Sequence, residues 1–149
     1  MNHLVYLFLA GLGLMACQEN SINRNEEEVI RYRETVTLAE SPKATLTFAE
    51  VQDSRCPEGV QCIWAGNATV DLSLTSAISA ATEPEVVKMC LGDCRTLYPK
   101  NSYRNADTLN YTLAGQSYRF ILKAVSPTPK DGQTVKKEDY TITLGIEKM

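Results

Sequence analysis

From Val29 onward, apolar and polar residues alternate with a period of two along most of the chain. Val36 and Leu38 alternate with Thr35 and Thr37, and Ala44, Leu46 and Phe48 with Thr45 and Thr47. Successive side chains of a strand point to opposite faces, so this pattern predicts strands with one buried face. Ser41-Pro42-Lys43 lies between the two runs and reads as a turn. Ala68, Val70, Leu72 and Leu74 then face one way, and Thr69, Asp71, Ser73 and Thr75 the other. Ser76 to Glu83 is small and polar and reads as a loop. Val86 to Cys90 is the next strand, Leu91-Gly92-Asp93 a turn, and Cys94 to Tyr98 the return. Leu109, Tyr111 and Leu113 form a further alternating run, which turns at Ala114-Gly115-Gln116 into Tyr118 to Val125. Ser126 to Asp139 carries two Pro and a Gly and reads as a long exposed loop. Tyr140, Ile142, Leu144 and Ile146 give the last strand. The sum is an all-β fold of about eight short strands with no helix that has a wide apolar face. A sheet with one buried face must pack on another sheet or close on itself. An Ig-like β-sandwich is the expected architecture, and a small β-barrel is the alternative.

The first residues do not share this pattern. Leu4 to Ala16 is an uncharged apolar run, shorter than the roughly 20 residues a helix needs to span a bilayer. It ends in a small residue and is followed by Cys17 and the polar Gln18-Glu19-Asn20, which marks a targeting segment. Leu14-Met15-Ala16-Cys17 resembles the lipobox of bacterial lipoproteins, although Met1-Asn2-His3 has no Lys or Arg. The resemblance implies cleavage before Cys17, lipid on Cys17, and stable membrane anchoring through more than one chain. The plainer alternative is a secretory signal with Cys17 as a spare thiol. The expected organisation is a signal peptide over 1–16, a lipidated Cys and flexible tether over 17–28, and one β-domain over 29–149. Glu26-Glu27-Glu28 is placed in the tether.

Composition narrows the function classes. A net charge of −3 leaves no basic surplus for phosphates, so nucleic acid is excluded as a partner. His3 is the one histidine and falls in the signal segment. Ser-His-Asp and Cys-His catalysis are therefore closed to the mature chain. Asp53 and Asp93 are the one carboxylate pair worth considering, and an isolated Asp in a turn usually accepts from local backbone. A non-enzyme without a cofactor is the expectation.

Without Cys17, four cysteines remain: Cys56, Cys62, Cys90 and Cys94. An even number in an exported chain argues for two disulfides. Local pairing, Cys56–Cys62 and Cys90–Cys94, is favoured because each pair brackets a turn. By loop-closure entropy each small ring contributes only about 2 kcal/mol, against nearly 4 kcal/mol for a crossed pairing that closes about thirty-five residues. The alternative is a Cu(I) site of soft sulfur ligands at Met89, Cys90 and Cys94. The Cys-x3-Cys spacing resembles that of periplasmic copper-delivery proteins, but their distant His and thioredoxin-like fold have no counterpart here.

Asp53-Ser54-Arg55-Cys56-Pro57 to Cys62-Ile63-Trp64-Ala65-Gly66-Asn67-Ala68 is the stretch around which the strands are arranged. Asp53, Arg55 and Trp64 are the candidate binding residues, with Trp64 as an aromatic anchor. The structural alternative has Asp53 shaping the turn, Arg55 pairing with a carbonyl or carboxylate, and Trp64 in the core. The stretch is similar to the signature of a group of small bacterial exported proteins and lipoproteins of no assigned activity. That resemblance implies an envelope lipoprotein with a disulfide-stapled β-domain and carries over no functional residues. The functional expectation is a protein anchored in the envelope of a Gram-negative bacterium, in the outer membrane, through lipid on Cys17. It would bind an envelope protein or glycan. Inhibition of an extracytoplasmic protease by the rigid Cys56–Cys62 loop is the alternative.

Overall fold

The alternating runs form strands whose apolar sides meet. The computed structural model describes residues 26–78 and 83–149. The signal segment, Cys17 and the chain up to residue 25 lie outside the described residues, as do positions 79–82 of the predicted loop. The strands are β1 (Glu26–Arg31), β2 (Thr35–Glu40), β3 (Lys43–Asp53), β4 (Asn67–Ser76), β5 (Glu85–Asp93), β6 (Tyr103–Arg104), β7 (Asp107–Leu113), β8 (Gln116–Ser126) and β9 (Thr141–Lys148). One sheet has the order β1-β9-β8-β7 and the other β2-β3-β4-β5-β6, all pairs antiparallel. The protein is thus an all-β sandwich. Within each sheet, chain neighbours pair directly. Exchange between sheets, which Ig domains repeat in Greek keys, is confined here to the β1–β2 and β6–β7 crossings.

Ala44, Leu46 and Phe48 of β3, Val70, Leu72 and Leu74 of β4, Phe120 and Leu122 of β8, and Ile142 and Leu144 of β9 fill the space between the sheets. Tyr118 stacks on Phe120, and Tyr32 meets Phe48 edge-on. Two β-bulges shift the phase of burial. The register slips between Phe48 and Glu50 in β3, so Val51 rather than Gln52 is buried. It slips again between Leu122 and Ala124 in β8, so Val125 is buried. A bulge bends its strand and re-aims the residues beyond it. Beyond the bulge of β3 lies Asp53, and beyond that of β8 the Val125 carbonyl.

Three boundaries differ from the sequence reading. The first strand begins at Glu26, because its backbone pairs with β9 and Glu27 meets Lys123 at 2.6 Å. Glu26-Glu27-Glu28 therefore belongs to an edge strand, where charge is well tolerated, and not to the tether. Leu91-Gly92-Asp93 is strand rather than turn: it pairs with Asn67 and Ala68 on one side and with β6 on the other. Cys94 to Tyr98 is the turn, with the Leu97 and Tyr98 amides donating to the Cys94 carbonyl at 3.0 and 2.8 Å. The β7–β8 hairpin turns on Ala114 and Gly115, both at positive φ (55° and 78°), which is the two-residue turn whose twist suits a hairpin.

Candidate functional site

The segment from Ser54 to Gly66 leaves the end of β3 and returns to the start of β4, so both ends of the loop are held by paired strands. The Ser54 amide donates to the Asn67 carbonyl at 2.8 Å, and the Cys56 amide to the Ala65 carbonyl at 2.9 Å. Gly66 sits at φ +67°, and a Cβ there would collide with the Ser54 carbonyl oxygen. Only glycine lets the two loop stems come this close. The Gly66 carbonyl in turn accepts from the Asp93 amide at 2.8 Å, and the Asn67 side-chain amide donates to the Asp93 carbonyl at 2.8 Å. This ties the loop base to the end of β5.

Asp53 and Arg55 form the clamp under the loop. The Arg55 guanidinium donates to both carboxylate oxygens of Asp53, at 2.8 and 2.6 Å, in a planar fork. Its remaining donors reach the Val125 carbonyl at 2.8 Å and the Pro127 carbonyl at 2.9 Å. The Tyr140 hydroxyl donates to Asp53 at 3.0 Å. The Asp53 side chain is 3% exposed and that of Arg55 18%. Burial pushes the Asp53 carboxyl up, but the Arg55 hydrogen bonds and charge outweigh it, and the net shift is downward. Burial and the Asp53 hydrogen bond push the Tyr140 phenol up to about 12. These groups bind each other and join the two sheets. They do not offer a free recognition surface, so the assignment of Asp53 and Arg55 as exposed binding residues is corrected.

Trp64 stands at the surface, against the alternative that placed it in the core: it is 66% exposed, and Ile63 beside it 93%. Val60, at the tip, is also exposed. The Arg95 guanidinium lies 5.6 Å from the centre of the Trp64 ring, a cation–π contact, and is itself held by the Asp93 carboxylate. The Arg95 hydrogen bond holds the Asp93 carboxyl below its ordinary range. Both members of the carboxylate pair considered for catalysis, Asp53 and Asp93, are thus paired with arginines.

The cysteines pair locally. Cys56–Cys62 closes the loop tip and Cys90–Cys94 the turn after β5. Within the first ring, the Val60 amide donates to the Pro57 carbonyl at 3.3 Å with Gly59 at φ +91°, so Pro57 to Val60 is a tight turn. The Glu58 amide donates to Pro129 at 2.9 Å and pins the ring to the loop after β8. Cys90 and Cys94 are fully buried. Their sulfurs are bonded to each other, and Met89 packs in the core as the strand neighbour facing the other way. The Cu(I) site at Met89, Cys90 and Cys94 is overturned by that geometry. No group of His, Cys, Asp or Glu suited to a metal occurs among the described residues.

A second clamp supports the second disulfide. Asp107, fully buried, accepts from the Cys90 amide at 2.9 Å, the Tyr98 hydroxyl at 2.9 Å and Arg104 at 3.0 Å. Arg104 lies over the Tyr98 ring at 3.5 Å. Sequence reasoning passed over Asp107, yet it shares the inward parity of Leu109, Tyr111 and Leu113. A charge at an inward strand position demands buried partners, and that signal was readable. No protein-family model, curated protein or solved structure matches this chain.

Proposed function

We propose that the protein is a lipid-anchored, non-catalytic binding module of the Gram-negative cell envelope, and that Ile63 and Trp64 on the Cys56–Cys62 loop are its contact surface. The observation that carries the reading is a pair of large, adjacent, water-exposed apolar side chains on an immobilised base. Aromatic anchors contribute much of the energy of interfaces, and a loop already fixed by a disulfide, a glycine contact and the Arg55 clamp loses little entropy on binding. A protein partner fits better than a glycan. Ile63 is almost wholly exposed and offers nothing to a sugar's hydroxyls, while Arg95 already lies over the Trp64 ring.

The lipobox resemblance at Leu14 to Cys17 supports the anchor. Glu26 pairs with Ile146, at the far end of β9 from Thr141. Thr141 follows Tyr140, which contacts Asp53. β1 therefore begins, at Glu26, at the pole opposite Trp64, which fits a contact surface turned away from an anchor on Cys17. The tight turn at Pro57 to Val60 leaves no extended run to lie in a protease substrate groove, which counts against the inhibitor alternative. The test is a photo-crosslinking amino acid at position 63 or 64 in living cells, with Thr108, exposed on β7, as control. One discrete protein adduct specific to 63 and 64 supports the reading. The same adducts at all three positions, or none, end it.

A further inference from the structure

The two disulfides differ in their access to solvent. Cys90 and Cys94 are fully buried, and the Cys90 amide is bound to the buried Asp107. Cys62 is exposed and Cys56 half-buried. Disulfide exchange begins with attack of a thiolate on one of the two sulfurs, so access decides which bond opens first, and exposed disulfides are the labile ones.

The disulfides differ also in what else holds the chain beside them. The stems of the first loop are closed without the crosslink. Ser54 and Cys56 donate to Asn67 and Ala65, and Arg55 is clamped by Asp53. Glu58 is tied twice, its amide donating to Pro129 and its carbonyl accepting from the Asp131 amide at 3.2 Å. Among the described residues, no backbone–backbone hydrogen bond involves residues 61–64. That stretch carries Ile63 and Trp64, and the bond from Cys62 to Cys56 is its one covalent tie across the loop. The Cys56 sulfur also lies 3.5 Å from the Val60 carbonyl, so a thiol formed there has an acceptor within reach.

We propose that Cys56–Cys62 is a thiol–disulfide exchange site, opened by a dithiol while Cys90–Cys94 stays closed, and that opening it frees Ile63 and Trp64 from their rigid setting. One thiolate of the dithiol attacks the sulfur of the more exposed Cys62. The S–S bond breaks, and the Cys56 sulfur leaves as a thiolate and takes up a proton. The second thiol of the reductant then displaces Cys62 from the mixed disulfide, and that sulfur takes up the second proton. Two electrons and two protons thus pass to the cysteines, and the dithiol ends as a disulfide. The reductant class is a protein with a paired-cysteine dithiol. The consequence for a partner rests on the contact surface proposed above, because a loosened anchor loses more entropy on binding; the exchange itself does not rest on it.

The test is graded dithiothreitol on the folded protein, with alkylation and peptide mapping at each step. Cys56 and Cys62 are expected to be alkylated at a concentration about tenfold or more below the one that opens Cys90–Cys94. In that half-reduced species, 15N relaxation is expected to show Gln61 to Trp64 newly mobile and Ser54 and Asn67 unchanged. Cys56→Ser combined with Cys62→Ser is expected to give the same relaxation pattern and to melt no more than about 10 °C below wild type. Opening of both bonds at one concentration, of Cys90–Cys94 first, or of neither until the fold melts would overturn the proposal. So would Gln61 to Trp64 staying as rigid as in the oxidised protein, or a larger fall in the melting point of the double variant. The two readings fail separately: if the oxidised protein gives no specific adduct at positions 63 and 64, the contact surface falls and the exchange site stands.

Discussion

Arg55→Ala separates the clamp from the surface it supports. The substitution deletes two hydrogen bonds to Asp53 and two more to the Val125 and Pro127 carbonyls. Asp53, 3% exposed, keeps only the Tyr140 hydroxyl and the Arg55 amide. Removing one partner of a buried ion pair costs about 3–5 kcal/mol. Because 18% of the Arg55 side chain is already open to solvent, water can enter the vacated place, which sets the cost near the lower end, about 3 kcal/mol. A domain of this size holds roughly 5–15 kcal/mol in all, and each kcal/mol moves the midpoint by roughly 3–5 °C. Arg55→Ala should therefore melt about 10–15 °C below wild type by far-UV circular dichroism. Arg55→Lys keeps the charge without the fork and should fall between. Trp64→Ala, at an exposed site, should stay within about 0.5 kcal/mol of wild type in urea titration. If Arg55→Ala melts within about 2 °C of wild type, or Trp64→Ala costs as much as Arg55→Ala, the division into buried clamp and exposed anchor is refuted.

Three further outcomes are expected. Gly66→Ala forces a Cβ onto the Ser54 carbonyl at positive φ and should cost more than about 2 kcal/mol by chemical denaturation, with lost amide protection at Cys56 and Asp93. The Asp53 carboxyl has a lower pKa folded than unfolded, so its stabilisation is complete above about pH 4 and is lost as pH falls through the folded value. Stability measured from pH 5 to 2 should consequently drop less in Asp53→Asn than in wild type. Tyr140, with its pKa near 12, should supply the last phenolate to appear in an ultraviolet titration, and Tyr140→Phe should remove that component alone.

The half-buried strands were legible because a single rule, burial of every second residue, holds along them. It lapses at bulges. The extra residue at Ala49 reverses the parity of β3, so the alternation followed from Ala44 stops at Phe48 although the strand pairs with β4 as far as Asp53. Gly92 misled for a different reason. It reads as a turn, but its φ of +91° serves close packing on the Gly66 carbonyl, from which a Cβ would be only 2.6 Å away. The two-residue strand β6 is too short to have a period at all. Within the site, pairing of the cysteines was readable from their spacing. The place of Trp64 stayed open between surface anchor and core, because a lone Trp in a small domain is ordinarily core. What turns it outward is the stem closure at Gly66 and the Arg55 clamp. Those contacts join residues as far apart as Arg55 and Pro127, and no local pattern encodes them.

The two disulfide rings share one plan with different results. Each is supported by a buried aspartate that receives an arginine and a tyrosine: Asp53 with Arg55 and Tyr140, Asp107 with Arg104 and Tyr98. Rings this small stabilise by only about 2 kcal/mol each through the unfolded chain, and a sandwich core running from Ile30 to Ile146 does not depend on that. Their effect is local. Cys90–Cys94 is sealed beneath its clamp, and the adjacent Arg95 reaches out to the Trp64 ring. Cys56–Cys62 runs from a half-buried Cys56 to an exposed Cys62 and fixes the chain immediately before Ile63 and Trp64. One crosslink thus holds the apolar pair and the other holds the cation that orients its indole. Both clamps thus bear on one exposed tryptophan, the Asp53 clamp through its loop stem and the Asp107 clamp through the turn that carries Arg95, which fits the rigid anchor proposed above.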